Sequence, residues 1–303
     1  DEDEIAVLEM GISDFGEMTR LAKIAKPDTC VITNIGTCHL ENLGDRDGVL
    51  KAKTEIFQSM QPSGHIVLNG DDDKLATVDG YHGVKPVFFG LDAKHDVYAD
   101  QIVSRGLKGV SCRIHMGKDA FDVLVPTPGI HMVYNALAAA AVGRIYGLTI
   151  EEIKRGIESL ETIRGRFKMI ETENFLVVDD CYNANPVSMK ASIDVLATAE
   201  GRKIAVLGDM GELGENEKKL HYEVGEYLAK KEIDVLFCAG ELSEEIAKAA
   251  QKESKTCEVY YFKTREALLE QLLPFLKKGD TVLVKASHFM EYPKIVKALT
   301  DCQ

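Results

Sequence analysis

Short apolar runs alternate with amphipathic, helix-spaced segments along most of the 303 residues. IAVLE (5–9) precedes a helix-like stretch near 16–26, and CVITNI (30–35) precedes an amphipathic segment near 46–60. HIVLN (65–69) and VFFG (87–90) read as further strands. Strands that alternate with helices fold as a parallel sheet with right-handed crossovers. Residues 96–125 depart from this pattern: VYADQIV, GVSCRIHM and FDVLVP lie close together, separated by Gly and Lys turns, and predict an antiparallel insertion. Helices are predicted at roughly 131–147 and 150–160, the second with Thr149 as N-cap and Glu152 three residues on.

The alternation restarts near 167. Its strands are FLVVD (175–179), KIAVLG (203–208), DVLFCAG (234–240), EVYYF (258–262) and TVLVK (281–285), with helical segments such as 217–231 and 264–277 between them. The predicted fold class is α/β. A first domain, 1–164, holds a mostly parallel sheet with the antiparallel insertion; a second, 165–303, is a Rossmann-like doubly wound unit. The two are expected to join near Thr162–Phe167 and to be free to reorient.

Composition narrows the function classes. The net charge of −13 argues against nucleic-acid binding. No apolar run is long enough for a membrane span, and no signal peptide is visible. The seven cysteines (Cys30, Cys38, Cys112, Cys181, Cys238, Cys257 and Cys302) include no C-x-x-C pair, so neither a zinc knuckle nor a disulfide framework is supported. A reducing cytoplasm is the expected compartment. Asp1–Glu4 runs straight into a strand-like segment with no initiator Met, so a piece of a longer protein is expected.

The chemistry-bearing residues gather where strands end. Phe175–Val178 is followed by two carboxylates, a Tyr-Asn-Ala-Asn cluster and Pro186, which reads as strand, polar loop and helix with Pro in its first turn. Such a turn is also simply where Asn and Asp are favoured. Glu9 ends IAVLE, Asn34 and His39 follow CVIT, Asp180 follows FLVVD, Asp209 ends KIAVLG and Lys285 ends TVLVK. Open α/β sheets bind ligands at those strand ends.

Lys53 interrupts an apolar stripe of Val49, Ile56, Phe57 and Met60. Either its stem snorkels with the ammonium in water, or burial depresses its pKa and the amine captures carbon dioxide as a carbamate. Glu9 and His39 would complete a Mg²⁺ or Mn²⁺ site with that carbamate. A His after a strand is otherwise most often a hydrogen-bonded structural residue.

The strings EMGISDFGEM (9–18), VITNIGTCHLE (31–41), GVLKAKTEIF (48–57), PGIHMVYNALAAAAVG (128–143), GRF (165–167), DDCYNANP (179–186), LGDMGELG (207–214) and LVKASHFM (283–290) resemble the motifs of the Mur ligase family over essentially the whole chain. Members of that family join an acid to an amine using ATP. YNANP and LGDMGELG resemble the member that adds D-alanyl-D-alanine to UDP-N-acetylmuramoyl-tripeptide through an acyl phosphate.

The resemblance implies that Glu9 and His39 hold Mg²⁺ with a carbamylated Lys53. It implies that Asn135 contacts adenine, and that Arg166 and Asp180 hold the phosphates and ribose of ATP. Lys285 would face the reaction centre, and Tyr182, Asn183, Asn185 and Ser287 the substrate. Lys53, His39 and Lys285 form the catalytic set, and a monomer is expected. Two positions depart from the family pattern: Met132 stands where Asn often follows the helix's His, and His288 stands where Arg closes the last motif.

No G-x-x-x-x-G-K-[ST] loop occurs in the chain. The family places that loop ahead of the segment matching Glu9, after a domain that binds the UDP-sugar. The 303 residues alone are therefore expected not to ligate. Two rivals stand beside this reading. One is another ligase of the superfamily, adding diaminopimelate or lysine, or a folylpolyglutamate synthase; YNANP argues against it. The other is a non-enzymatic nucleotide-binding protein, weakened by the absence of G-x-G-x-x-G after any strand.

Overall fold

The computed structural model describes residues 4–37 and 39–301. Asp1–Asp3, Cys38, Cys302 and Gln303 lie outside the described residues, and with them two of the cysteines and most of the acidic opening. The chain forms two compact units: 1–103 with 111–125 and 132–158, and 104–110 with 126–131 and 159–303. Each unit has its own six-stranded sheet.

The first unit runs α1 (Glu17–Ala25), β1 (Thr29–Ile32), α2 (Leu40–Leu43), α3 (Arg46–Thr54), β2 (His65–Asn69), β3 (Pro86–Gly90), β4 (Val97–Ser104), β5 (Val110–Met116), β6 (Asp119–Val125), α4 (Ile130–Ile145) and α5 (Ile150–Glu158). The strands lie in chain order, and β1 to β4 pair in parallel. Gly117 and Lys118 alone join β5 to β6, a connection only antiparallel neighbours permit. Residues of β5 alternate strictly between buried and half-buried, the signature of a strand with one covered face. The core packs Met18 and Ala22 of α1 and Val49 and Ala52 of α3 against Cys30, Ile32, Ile66 and Leu68. Thr149 and Glu152 make the expected reciprocal cap at α5, with Thr149 N donating to Glu152 Oε2 at 2.9 Å and Glu152 N to Thr149 Oγ1 at 3.3 Å.

One expected strand does not form. IAVLE (5–9) has no regular structure, and Val7 is 94% exposed. Its apolar run is strand-like, but among the described residues it pairs with no strand; β1 stands at the sheet edge with β2 as its neighbour. A strand exists only where its backbone groups find a partner.

The second unit begins with β7 (Lys168–Glu171), an antiparallel edge strand with no counterpart in the sequence reading. It continues through β8 (Leu176–Asp179), α6 (Pro186–Ala197), β9 (Lys203–Gly208), α7 (Glu217–Ala229), β10 (Val235–Ala239), α8 (Ser243–Glu253), β11 (Glu258–Phe262), α9 (Arg265–Phe275), β12 (Thr281–Lys285) and α10 (Pro293–Asp301). The strand order is β11-β10-β9-β12-β8-β7. Strands β8, β9, β10 and β12 read as continuous apolar runs because both faces are covered. Val178, Leu207, Leu236 and Leu283 face one core, and Val177, Val206, Phe237, Val282 and Val284 face the other. The chain passes from β8 to β9, outward to β10 and β11, then back to β12 between β9 and β8. That reversal leaves a crevice at the carboxyl ends of β8, β12 and β9.

Candidate active site

The crevice of the second unit is built around one ion pair. Lys285 ends β12 with its side chain 3% exposed, and its Nζ lies 2.6 Å from Asp180 Oδ2. The ammonium also donates to the carbonyls of Asn183 at 3.2 Å and Asp180 at 3.4 Å. Its three N–H groups thus meet three oxygens, the condition under which a buried cation is tolerated. Asp180 in turn accepts Ser192 Oγ at 2.6 Å on Oδ2 and the Phe167 amide at 3.2 Å on Oδ1. Ser192 reaches it from α6, a residue the sequence reading did not single out. A hydroxyl in the middle of a helix carries no motif signal of its own.

The Asn cluster that follows shapes the loop. Asn185 is the N-cap of α6: its side chain accepts the Ser188 amide at 2.9 Å, and Ser188 Oγ accepts the Asn185 amide at 3.1 Å. Pro186 fills the first helical position, where its missing N–H costs nothing. Asn183 Oδ1 accepts the Ala184 amide at 2.8 Å. Ser287 is buried; its Oγ donates to the Ala184 carbonyl at 3.3 Å and accepts the Gly211 amide at 2.9 Å. Ser287 therefore ties LVKAS to LGDMGELG.

Within LGDMGELG, the buried Asp209 accepts the Ser243 amide at 2.6 Å, at the start of α8. His221 of α7 is buried beneath the same loop. Its Nε2 accepts the Met210 amide at 2.8 Å, so the proton sits on Nδ1, which donates to the Glu217 carbonyl at 2.7 Å. Burial holds its pKa below the ordinary value.

Residues 165–167 lie against the same carboxylates. Asp179 Oδ2 accepts the Gly165 amide at 3.0 Å, and its Oδ1 accepts the Cys181 thiol at 2.8 Å. Burial, then that carboxylate, push the thiol's pKa upward. Arg166 and Tyr182 are exposed, and the guanidinium carbon stands 4.0 Å from the Tyr182 ring centroid.

In the first unit the candidates lie in loops and on helices. Glu9 is exposed in the irregular segment before α1. His39 adopts a left-handed backbone (φ 59°) as it enters α2. Lys53 is half-buried on α3, and its Nζ donates to the Asn34 carbonyl at 3.2 Å. Asn135 is exposed on α4 and donates to Met132 Sδ at 3.4 Å, so the residue that departs from the family pattern engages its amide. Among the described residues, no group of three His, Cys, Asp or Glu side chains could hold a metal ion.

Two networks in this unit escaped the sequence reading. The Glu55 carboxylate accepts the amides of Gly16 and Thr19 and the Thr19 hydroxyl, with bonds of 2.9 to 3.2 Å, and so caps α1 from 36 residues away. Asp71 accepts His95 Nε2 at 2.8 Å, the Leu91 amide at 2.6 Å and Tyr134 Oη at 3.0 Å. Burial raises the Asp71 pKa, but those donors outweigh it and hold the carboxyl below its usual range. The phenol of Tyr134 is pushed up to about 12 by burial and by Asp71. Long-range partners of this kind have no spacing to betray them.

This architecture is shared with known proteins. Residues 1–143 match the Mur ligase middle domain, and residues 165–288 match the Mur ligase glutamate ligase domain. The chain belongs to the Mur ligase family. It is 36% identical over 301 residues to the UDP-N-acetylmuramoyl-tripeptide–D-alanyl-D-alanine ligase of Bacillus subtilis, covering 98% of this chain and 65% of that protein. The ligase of the same name from Escherichia coli is 32% identical, with 98% and 66% covered. The chain thus spans just under two thirds of the length of these curated relatives. A crystal structure of MurF from Acinetobacter baumannii superposes with a TM-score of 0.86 at 30% identity, over 97% of this chain and 64% of that one. A MurF ligase from Thermotoga maritima in complex with ADP gives 0.82 at 30% identity, over 95% and 65%. A folylpolyglutamate synthase from Thermotoga maritima, at 14% identity and a TM-score of 0.61, shares the fold.

Proposed function

We propose that this chain carries the nucleotide-binding and acyl-transfer machinery of a cytoplasmic, ATP-dependent ligase of peptidoglycan precursor synthesis. ATP phosphorylates the terminal carboxylate of UDP-N-acetylmuramoyl-tripeptide. The amine of D-alanyl-D-alanine attacks the acyl phosphate, and the tetrahedral intermediate collapses to amide and phosphate. The observation that carries this reading is the buried Asp180–Lys285 pair, set in a chain 36% identical to a protein named for that reaction.

The proposed domains are 1–164, on the nucleotide side with Asn135 against adenine, and 165–303. In the second, Arg166 and Asp180 take the phosphates and ribose. Lys285 supplies a fixed positive charge toward the reaction centre; because its hydrogen bonds already hold it in place, it stabilises developing negative charge with little reorganisation. Asn183, Asn185 and Ser287 line the substrate side, and Tyr182 stands against Arg166. The protein acts as a monomer.

A Mg²⁺ ion would neutralise charge on the phosphates. Lys53 as an ammonium donates to Asn34 and is no metal ligand. Glu9 and His39 become a three-ligand set only once Lys53 carries a carbamate, so no step here is routed through the ion.

The test is ligation by the full-length protein that contains this chain, read as phosphate release and as product mass. Turnover should require ATP, UDP-N-acetylmuramoyl-tripeptide and D-alanyl-D-alanine together. Turnover with lysine, diaminopimelate or glutamate as the amine, and none with D-alanyl-D-alanine, would replace this reading with the rival ligases. Nucleotide binding without turnover on any amine would replace it with a binding protein.

A further inference from the structure

We propose that Tyr182 is a positioning residue for Arg166, its ring being the surface that holds the guanidinium ready for a nucleotide phosphate. This rests on the nucleotide role of Arg166 proposed above, and it gives Tyr182 a task other than substrate contact.

The backbone fixes both partners. Gly165 (φ 78°) and Phe167 (φ 54°) flank Arg166 in the left-handed region. Phe167 carries a side chain in a conformation that L residues seldom adopt, and its amide is held by Asp180 Oδ1 at 3.2 Å. On the other side, the Gly165 amide donates to Asp179 Oδ2 at 3.0 Å, and the Gly165 carbonyl accepts the Tyr182 amide at 3.0 Å. A Cβ on Gly165 would stand 3.2 Å from Tyr182 Cβ and 3.3 Å from its amide nitrogen, so the segments approach as closely as glycine permits. Asp179, Asp180 and Tyr182 therefore clamp both neighbours of Arg166, and the Tyr182 ring lies beside the side chain between them.

It uses that surface. The guanidinium carbon lies 4.0 Å from the ring centroid, well inside cation–π range. A stack occupies the guanidinium's face and does not compete for its in-plane N–H fork, the part that recognises phosphate oxygens. An arginine side chain otherwise loses rotamer entropy when it is ordered. Stacking meets part of that cost before the anion arrives, which is preorganisation. Tyr182 is 52% exposed, so its ring is not a core element whose loss would collapse the fold.

The experiment compares Tyr182→Leu, Tyr182→Phe and Arg166→Ala in the full-length protein. Arg166→Ala should raise the KM for ATP by about tenfold or more, as expected for loss of charged hydrogen bonds. Tyr182→Leu should raise it about threefold, the size of an exposed cation–π contact, with the KM for D-alanyl-D-alanine and the melting temperature unchanged. Tyr182→Phe should behave as wild type. The upfield ring-current shift of the Arg166 δ protons by NMR should be kept in Tyr182→Phe and lost in Tyr182→Leu, without any turnover being required. If Arg166→Ala is impaired and Tyr182→Leu is not, the positioning role is wrong while the nucleotide role stands. A Tyr182→Leu effect confined to the KM for D-alanyl-D-alanine would make Tyr182 a substrate contact and overturn the proposal. An unchanged KM for ATP in Arg166→Ala would remove the nucleotide role itself and the inference with it.

Discussion

The candidate residues of the two units are held by different means. In the second unit, Lys285 and Asp180 sit at strand ends, buried or nearly so, and share bonds with Ser192, Phe167 and Asn183. In the first, Glu9 lies exposed in an irregular segment, His39 enters a four-residue helix, and Lys53 reaches one backbone carbonyl at 3.2 Å. A sheet interior fixes a side chain through packing on both faces, whereas a loop fixes it only through the bonds it makes. Lys285 is thus enclosed at the end of a covered strand, while Lys53 is half-buried on a helix.

The largest effect that could break this contrast is a pair of lysine substitutions. Both Lys285→Met and Lys53→Ala should abolish ligation by the full-length protein. Chemical denaturation should separate them. Lys285→Met strands the Asp180 carboxylate and should cost about 3–5 kcal/mol, while Lys53→Ala should cost less than about 1 kcal/mol. A short carboxylate in solution should restore part of the Lys53→Ala activity by standing in for the carbamate, and bicarbonate should not. Equal destabilisation by the two variants would erase the distinction.

The next effect sharpens it within the second unit. His221→Leu leaves the buried Met210 amide without its acceptor and should cost about 1–3 kcal/mol at pH 7. Because burial holds the folded-state pKa of His221 below the unfolded value of about 6.5, the unfolded chain takes up the proton first. His221 therefore contributes its full stability above about pH 6.5 and loses it as the pH falls toward its folded pKa. The gap between wild type and His221→Leu should narrow in that window, measured by urea titration at pH 5 to 8. A gap constant with pH would show that His221 is not kept neutral.

The smallest effect compares two helix caps. Asn185→Ala removes a local cap on α6, and Glu55→Ala removes a distant one from α1. Each should cost about 1 kcal/mol, but only Glu55→Ala should increase amide exchange in the loop 10–16 that it anchors. Equal exchange in the two variants would show that the loop is held by other bonds.

The sequence made some of this legible for a plain reason. Strands covered on both faces must be continuous apolar runs, so KIAVLG and TVLVK coincide with β9 and β12 residue for residue. Asp180 and Lys285 were visible because strand ends position ligand-facing groups. IAVLE forms no strand because an apolar run marks a tendency to be buried but names no partner strand. The edge strand β7, half-exposed throughout, had too little apolar signal. Glu55, Ser192 and the Asp71–His95–Tyr134 network depend on contacts 12 to 63 residues apart, which a single sequence does not encode as a pattern.

The two oxygens of Asp180 are unequal in a way that gives the crevice a direction. Oδ2 carries both 2.6 Å bonds, from Lys285 and Ser192, while Oδ1 carries the 3.2 Å bond from Phe167. A carboxylate offers about four lone-pair sites, so a newcomer at Oδ2 must evict a short, charged partner, while one at Oδ1 need only share. Under the nucleotide role proposed for Asp180, a sugar hydroxyl would be steered to the side where residues 165–167 run, and the lysine would keep its seat. The asymmetry acts as a key slot: it admits a ligand in one orientation because the other face of the lock is already filled.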